Sequence, residues 1–557
     1  MGRAYTRTAG GDDLQTPAVA AAADVPHATL RLCYTDPAIF SAPAGRSRYL
    51  ATMHRAGSPR SEPRAPCRVG LLLLAIAAPA CGDDTRATDL ESTYAERCAQ
   101  PRTGVDPATR LPYPDVAGSV MDEKLWIHWW INDLYLWYRE VPNVDITKYA
   151  TAVDYFGQEK TPATTASGKP KDQFHFIYDT PTWEALSQGG TEASYGVQWA
   201  ILASSPPRSL TIAYTQPGSP ADAAHLGRGA TVLAIDGVDV KNGDKDALNA
   251  GLNPVNLDET HSFVVQDLGA TETRTVTLTS TSVEIAPVQN VGTLPPPNDK
   301  VGYFLFTDHI ATAEKSLFDA FTQLRTAGVT DLILDLRYNG GGLLGVASEL
   351  AYMIAGPSRT TGKTFERLQF NDKYPDTDPY SGLPLQPDGF VDQSLGYAPS
   401  RLGSGMPLPS LGLSRVFVLT SAATCSASES VMNSLAGVDV QVIQIGKTTC
   451  GKPYGFVPAD NCGTTFFAIQ FQGVNNKGFG GYADGFVPGG VFQGCSVADD
   501  FTHVLGDPAE GLIAAALQYR VSSTCPPPAP MTVAPLAAVS GAVIPKPAWR
   551  QNRIVRH

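Results

Sequence analysis

The chain has 557 residues, enough for roughly three or four domains, and 43% of them are apolar, enough for a substantial core. Only 17% are charged, which excludes a mainly disordered chain, and 42 bases against 54 acids (net −12), with no basic run, argue against a nucleic-acid partner held through its phosphates. The longest apolar run, Val69–Ala80, is shorter than a bilayer crossing, which excludes a polytopic membrane protein.

Residues 1–80 carry nine Arg, no Lys and five acids, leaving 33 bases and 49 acids in the remainder. Met53 opens a basic stretch (Arg55, Arg60, Arg64, Arg68), followed by the apolar run from Val69 and by small residues before Cys81. This is the layout of a secretory signal peptide, and the small residues before Cys81 resemble a bacterial lipobox, with Pro79 as a departure. The expected organisation is a non-native extension over 1–52, a signal peptide over 53–80, and a mature chain anchored to a membrane by lipid on Cys81, exported to the bacterial cell envelope and facing the periplasm. The competing reading is a buried apolar segment with a chance cysteine. Export places Cys98, Cys425, Cys450, Cys462, Cys495 and Cys525 in an oxidising compartment, where six cysteines permit three disulfides in fifteen ways. The short Cys450–Cys462 loop offers one pairing. No CxxC or HExxH spacing occurs, so no metal is expected.

Residues 81–117 are polar and Pro-rich and read as a tether. Residues 118–190 read as a helical region, opened by an aromatic-rich helix over Val120–Tyr138 in which Leu125, Trp129, Leu134 and Trp137 recur near helical spacing and Pro142 marks the stop. Core packing explains that stripe better than a ligand box. Residues 195–282 read as short strands around a turn, a short helix over Pro220–Leu226 and an apolar strand ending at Asp236-Gly237. From 296 to 520 strands alternate with helices: strand Val301–Phe306, helix Ala313–Ala327, strand Asp331–Leu336, helix Gly342–Ala355, strand Arg415–Thr420, a helix from about Ser426, and strand Val440–Ile445. That alternation predicts an α/β layered domain, interrupted by a Pro-, Asp- and Gly-rich insertion over 357–412. The Pro- and Ala-rich tail, 521–557, reads as disordered.

Two strand-to-helix turns carry candidate chemistry. Asp335-Leu-Arg-Tyr-Asn-Gly-Gly-Gly342 lets the backbone approach a ligand but lacks the Lys-Ser/Thr of a phosphate loop. Thr424-Cys-Ser-Ala-Ser-Glu429 puts Ser426 at a helix N-terminus, where free N–H groups stabilise an oxyanion, and Gly446-Lys-Thr-Thr-Cys-Gly-Lys452 follows. Taken alone, Ser426 and Glu429 read better as an ordinary capping box.

Residues 195–282 resemble a PDZ domain, with Tyr195, Gly196 and Val197 matching its carboxylate loop and the start of its peptide-pairing strand. The signal peptide, this module, DLRxNxGG, SASE and GxTxGK in that order resemble the carboxyl-terminal processing (tail-specific) serine peptidases. The resemblance covers roughly 120–520 and is most specific over 300–456. It implies a crotonase/Clp-like α/β core in series with the PDZ-like domain, Ser426 as nucleophile, Lys452 as general base, Glu429 orienting the lysine, and the N–H groups of Ala427 and Gly341 as oxyanion hole. It implies protein or peptide substrates with free C-terminal tails and no cofactor. Cys425, Cys450 and Pro453 depart from the pattern, and a Cys425–Cys450 pair would staple the two catalytic segments together. Two readings compete: a lipid-anchored peptide-binding scaffold with an inactive core, and a serine hydrolase using His309 or His503 as base.

Overall fold

The computed structural model describes residues 87–107 and 109–527, together with 543, 545, 553 and 554. The expectations for 1–52, 53–80 and Cys81 lie outside the described residues. No described helix is long and apolar enough to cross a membrane.

A six-stranded sheet organises residues 288–496. Its order is Val288–Thr293, Val301–Phe306, Asp331–Asp335, Arg415–Thr420, Gln441–Gly446, Gln493–Ser496, and only the first strand runs antiparallel to its neighbour. The strands alternate between two apolar faces, as a sheet covered on both sides requires. Phe304, Leu332, Leu334, Val416, Val418 and Val442 face one core with Leu317, Leu350 and Val431 of the helices Ala313–Thr326, Leu344–Ala355 and Ala427–Gly437. Tyr303, Ile333, Phe417, Leu419 and Ile443 face the other, closed by Leu512 and Ile513 of the helix Gly511–Ser522.

The small module sits in series. Thr191–Ser194 and Thr281–Glu284 pair antiparallel as a neck through which the chain enters and leaves. Between them the strand path is Arg274–Thr279, Thr260–Gln266, Thr231–Ile235, Ser209–Thr215, Val197–Ala203, so the last strand is an edge. Tyr195, Trp199, Ile212, Ile235, Leu248 and Phe263 form the module's own core.

Several expectations need correction. The described part of the tether is built into the fold: a helix covers Ala87–Tyr94, Arg97–Cys98 pairs with Val116–Ala117, and Cys98 is bonded to Cys462. Cys462 is therefore not the partner of Cys450, which bonds Cys425, while Cys495 bonds Cys525. The region 118–190 contains the helix Val120–Leu134 but also the strand Phe176–Asp179, which pairs with Thr464–Phe467 of the core. Trp126, Trp130 and Phe156 share the main core cluster, so this region is no separate body. The insertion contributes Thr364–Gln369 to a second sheet through Phe471–Val474. Residues after 520 complete a helix and a disulfide, and Val543 and Arg553–Ile554 pair with other strands.

Candidate active site

Three adjacent parallel strands, Asp331–Asp335, Arg415–Thr420 and Gln441–Gly446, deliver the three motifs at their C-terminal ends. Ligands of open parallel sheets collect there. Short bonds knit the loops together. Thr424 Oγ1 donates to Leu336 O at 2.8 Å, and the Cys425 N–H and Ser428 Oγ both donate to Asn339 O at 3.1 Å. The Cys450 N–H donates to Thr424 O at 3.0 Å, and the Cys425–Cys450 disulfide adds a covalent tie.

Ser426 takes φ 58° and ψ −112°, a left-handed value costly for a residue with a Cβ. Its Oγ is buried without a hydrogen-bond partner. The capping box is thus half made: Glu429 Oε2 accepts the Ser426 N–H at 2.9 Å, while the Oγ does not return the bond. The same Oε2 accepts the Lys452 N–H at 2.8 Å. The other oxygen accepts the Gly451 N–H at 2.9 Å and the Thr449 hydroxyl at 2.5 Å. The Thr449 Oγ1 also accepts the Phe486 N–H at 2.7 Å, which directs its hydrogen to Glu429. One buried carboxyl group therefore holds the backbone of both Ser426 and Lys452. Burial raises the Glu429 pKa against the pull of these four donors.

Lys452 is fully buried, its Nζ 4.3 Å from the ring centre of Phe174 and 4.6 Å from that of Phe456. The Ser426 Oγ has no bond to Lys452 Nζ or to any histidine. His309 lies behind the glycine loop with Nδ1 3.0 Å from Asn339 Oδ1. That oxygen also accepts the Gly341 N–H at 2.9 Å, and an amide oxygen only accepts, so His309 carries its proton on Nδ1. The Gly341 N–H is consequently occupied, contrary to its expected oxyanion role. The Ala427 N–H, at the first position of its helix, has no acceptor among the described residues. His503 instead faces Asp500 at 2.7 Å.

Tyr195 is a core residue of the small module, its ring packed on Phe263. Gly196, at φ 76°, follows it because a Cβ there would fall 2.2 Å from that of Ser219. Val197 opens the edge strand. Cys425, Glu429 and Cys450 converge, but both thiols are consumed in the disulfide, leaving one carboxyl as the only ionisable donor.

The loop over 335–342 rests on a buried charge network. Arg337 donates to Asp335 at 3.0 Å, to Asp499 at 2.7 Å and to Glu510 at 2.6 Å. Three carboxylates outweigh burial and hold its pKa above the ordinary value. Arg228, from the small module, donates to the Tyr338 hydroxyl at 2.6 Å, Asp499 at 2.7 Å, Ala213 O at 2.9 Å, Asp500 O at 2.9 Å and His503 O at 3.1 Å. The motif arginine, Arg337, was the one sequence signal that partners existed.

Comparison with known proteins bears out the family resemblance over the core. Residues 300–458 match the family "Peptidase family S41". A "Carboxyl-terminal-processing protease" of Picosynechococcus sp. is 33% identical over 143 residues, covering 26% of this chain and 34% of that protein. A "C-terminal processing peptidase, chloroplastic" of Tetradesmus obliquus is 31% identical over 160 residues, again 26% and 34%. The chain thus spans about a third of the length of the curated relatives it matches. A solved Bacteroides fragilis structure assigned to the S41 proteases superposes with TM-score 0.54 at 24% identity, over 74% of this chain and 98% of that one, which establishes a shared fold.

Proposed function

From a core segment of the S41 peptidase type, we propose that this chain is an exported serine endopeptidase that takes the C-terminal tails of proteins and cleaves them through a Ser426–Lys452 dyad. The observation that carries it is the shared carboxyl: Glu429 and the neighbouring disulfide hold a strained serine at a helix N-terminus beside a fully buried lysine. The module over 195–282 acts as a PDZ-like domain, its edge strand Val197–Ala203 adding a peptide to the sheet.

In the working state Lys452, neutral, takes the Ser426 proton as Oγ bonds to the scissile carbonyl carbon. The Ala427 N–H and a backbone donor of the glycine loop hold the oxyanion. The C–N bond breaks as Lys452 returns the proton to the leaving amine, and water then attacks the acyl-enzyme, releasing the carboxylate product and restoring Ser426. The Oγ–Nζ bond forms around substrate, since catalytic hydrogen bonds commonly tighten only there. Lipid on Cys81 ties the mature chain to the envelope, and Cys81→Ser releases it or blocks its processing.

The test is hydrolysis of a protein with an unstructured apolar tail by wild type, Ser426→Ala and Lys452→Ala, with circular dichroism as the control for folding. Both variants lose turnover and keep the fold. Hydrolysis by Ser426→Ala would turn the reading into that of a scaffold with a contaminating protease. Turnover by Lys452→Ala would remove the lysine as base and return His309 to consideration.

A further inference from the structure

The edge strand of the small module is already paired. The Ile201 N–H donates to Val543 O at 2.8 Å and the Val543 N–H donates to Ile201 O at 2.8 Å, an antiparallel bridge. Gln198 Nε2 donates to Pro545 O at 2.8 Å. From 543 to 545 the tail therefore runs from Ile201 toward Gln198, that is, toward the Tyr195–Gly196 turn. Beside Ile201, between this strand and the helix Lys245–Leu252, lies a cavity of about 220 Å³ walled by Leu210, Ile235, Val240, Leu248 and Leu252. The strand that meets Val543 is thus the one that walls the module's apolar groove.

Eight residues beyond Pro545, Arg553–Ile554 pair in parallel with Gly342–Leu343, directly after the glycine loop. An eight-residue stretch reaches at most about 29 Å. Arg553–Ile554 also lie close to Tyr454–Gly455, a strand that begins two residues after Lys452. The tail thus pairs with the segment that follows the expected oxyanion loop and lies near the segment that follows the expected base. Its chemistry suits the chain that holds it: residues 543–557 include Lys546, Arg550, Arg553 and Arg556 and no acid, in a protein of net charge −12.

We propose that the C-terminal tail is a cis-bound peptide ligand of this protein, seated on the module's edge and across the candidate cleft, which a peptide from outside must displace. This rests on the reading of the cleft given above and names the first peptide it takes: a basic, apolar stretch of its own chain. Tethering gives such a ligand an effective concentration of the order of millimolar, so a weak intrinsic affinity suffices to keep it seated.

The test uses the full chain carrying Ser426→Ala, so that nothing is turned over, and a fluorescein-labelled synthetic peptide of residues 541–557. Adding Val543→Pro and Ile554→Pro removes backbone donors from the tail strands and unseats them. The labelled peptide then binds roughly tenfold or more tightly than to the parent, by anisotropy. Val543→Ala with Ile554→Ala keeps the donors and behaves as the parent. Equal binding to the parent and the proline variant, or binding to neither, overturns the proposal. In the Ser426 background, the same proline pair lowers KM for an outside tailed protein. Improved peptide binding with no hydrolysis by either Ser426 chain would uphold the tail assignment and remove the peptidase reading; hydrolysis with unchanged binding would do the reverse.

Discussion

Replacing Glu429 with glutamine tests whether one carboxyl group assembles the site. All four of its neighbours are donors: the N–H groups of Ser426, Gly451 and Lys452 and the Thr449 hydroxyl. Glutamine offers one oxygen and one NH₂. If its oxygen serves Thr449 and Gly451, the N–H groups of Ser426 and Lys452 face a third donor. Flipping the amide strands Gly451 and Thr449 instead, since Thr449 Oγ1 already accepts from Phe486. Two buried donors lose their acceptor either way, at about 1–3 kcal/mol each, or about 2–6 kcal/mol in all. Burial raises the Glu429 pKa, so the amide also relieves a penalty, and the lower end of that range is expected at neutral pH. A folded-state pKa above the unfolded one gives stability that is complete below the ordinary Glu range and is lost as pH rises through the raised value. The stability advantage of wild type over Glu429→Gln therefore shrinks with rising pH. Urea unfolding across a pH series measures it, and hydrolysis of a tailed substrate measures the effect on the site, where a displacement of the order of 1 Å costs about 10²-fold in kcat. Equal unfolding free energies within about 0.5 kcal/mol, together with unchanged kcat, would refute the carboxyl as organiser.

Reduction of the Cys425–Cys450 bond, or its replacement by two serines, lowers kcat and costs about 2–4 kcal/mol for a bridge of this kind; peptidase activity indifferent to a mild reductant would show that hydrogen bonds alone hold the two segments. Glu349 is pushed up to about 9 by burial and by the adjoining Glu314, whose oxygens accept the N–H groups of Gly396 and Tyr397. Its stability contribution is complete below the ordinary Glu pKa and is lost as pH rises toward 9, so thermal melts from pH 6 to 10 fall more steeply for wild type than for Glu349→Gln. Arg228→Met removes a buried guanidinium with five acceptors and costs about 3–5 kcal/mol, the tie to the core being lost first; amide exchange in residues 209–235 should rise above that in the sheet over 301–335.

Local chemistry was legible because local physics made it. Val301–Phe306 and Arg415–Thr420 are the strands expected, the Ala313–Thr326 helix falls within a residue of its expected ends, and the Ala427–Gly437 helix begins one residue after its expected start, since each is bounded by a glycine or a polar turn. The meeting of the Ser426 and Lys452 loops was implied by the family resemblance that the motifs carry. What was not legible depends on partners far away in the chain. Cys98 and Cys462 are 364 residues apart, and nothing near either one selects the other over Cys450. Thr364–Gln369 sits among Pro, Asp and Gly, and becomes a strand because Phe471–Val474 offers it an edge. The occupied Gly341 N–H was invisible for another reason: the Asn339 side chain that takes it lies two residues away, and only the folded turn aims it there.

Arg228 connects these levels. It reaches from the module to Tyr338, whose hydroxyl sits on Asp499, and Asp499 is shared with Arg337. The next residue, Asn339, accepts from Cys425 and Ser428 through its carbonyl and orders Gly341 and His309 through its amide. Polar bonds joined by the peptide link Tyr338–Asn339 therefore run from the module's glycine turn to the residues on both sides of Ser426. Spatial continuity alone establishes no signal, because a ligand moves an equilibrium only by binding its states unequally. The tail supplies a ligand with that property: one of its contacts is in the module, at Ile201, and the other directly follows the glycine loop, at Gly342–Leu343. A module displaced relative to the core cannot keep both pairings within the reach of the nine residues between Val543 and Arg553, roughly 32 Å of extended chain, and also break the Arg228 bonds at no cost. The seated tail and the latched module therefore favour the same arrangement, and removing either one weakens the hold of the other.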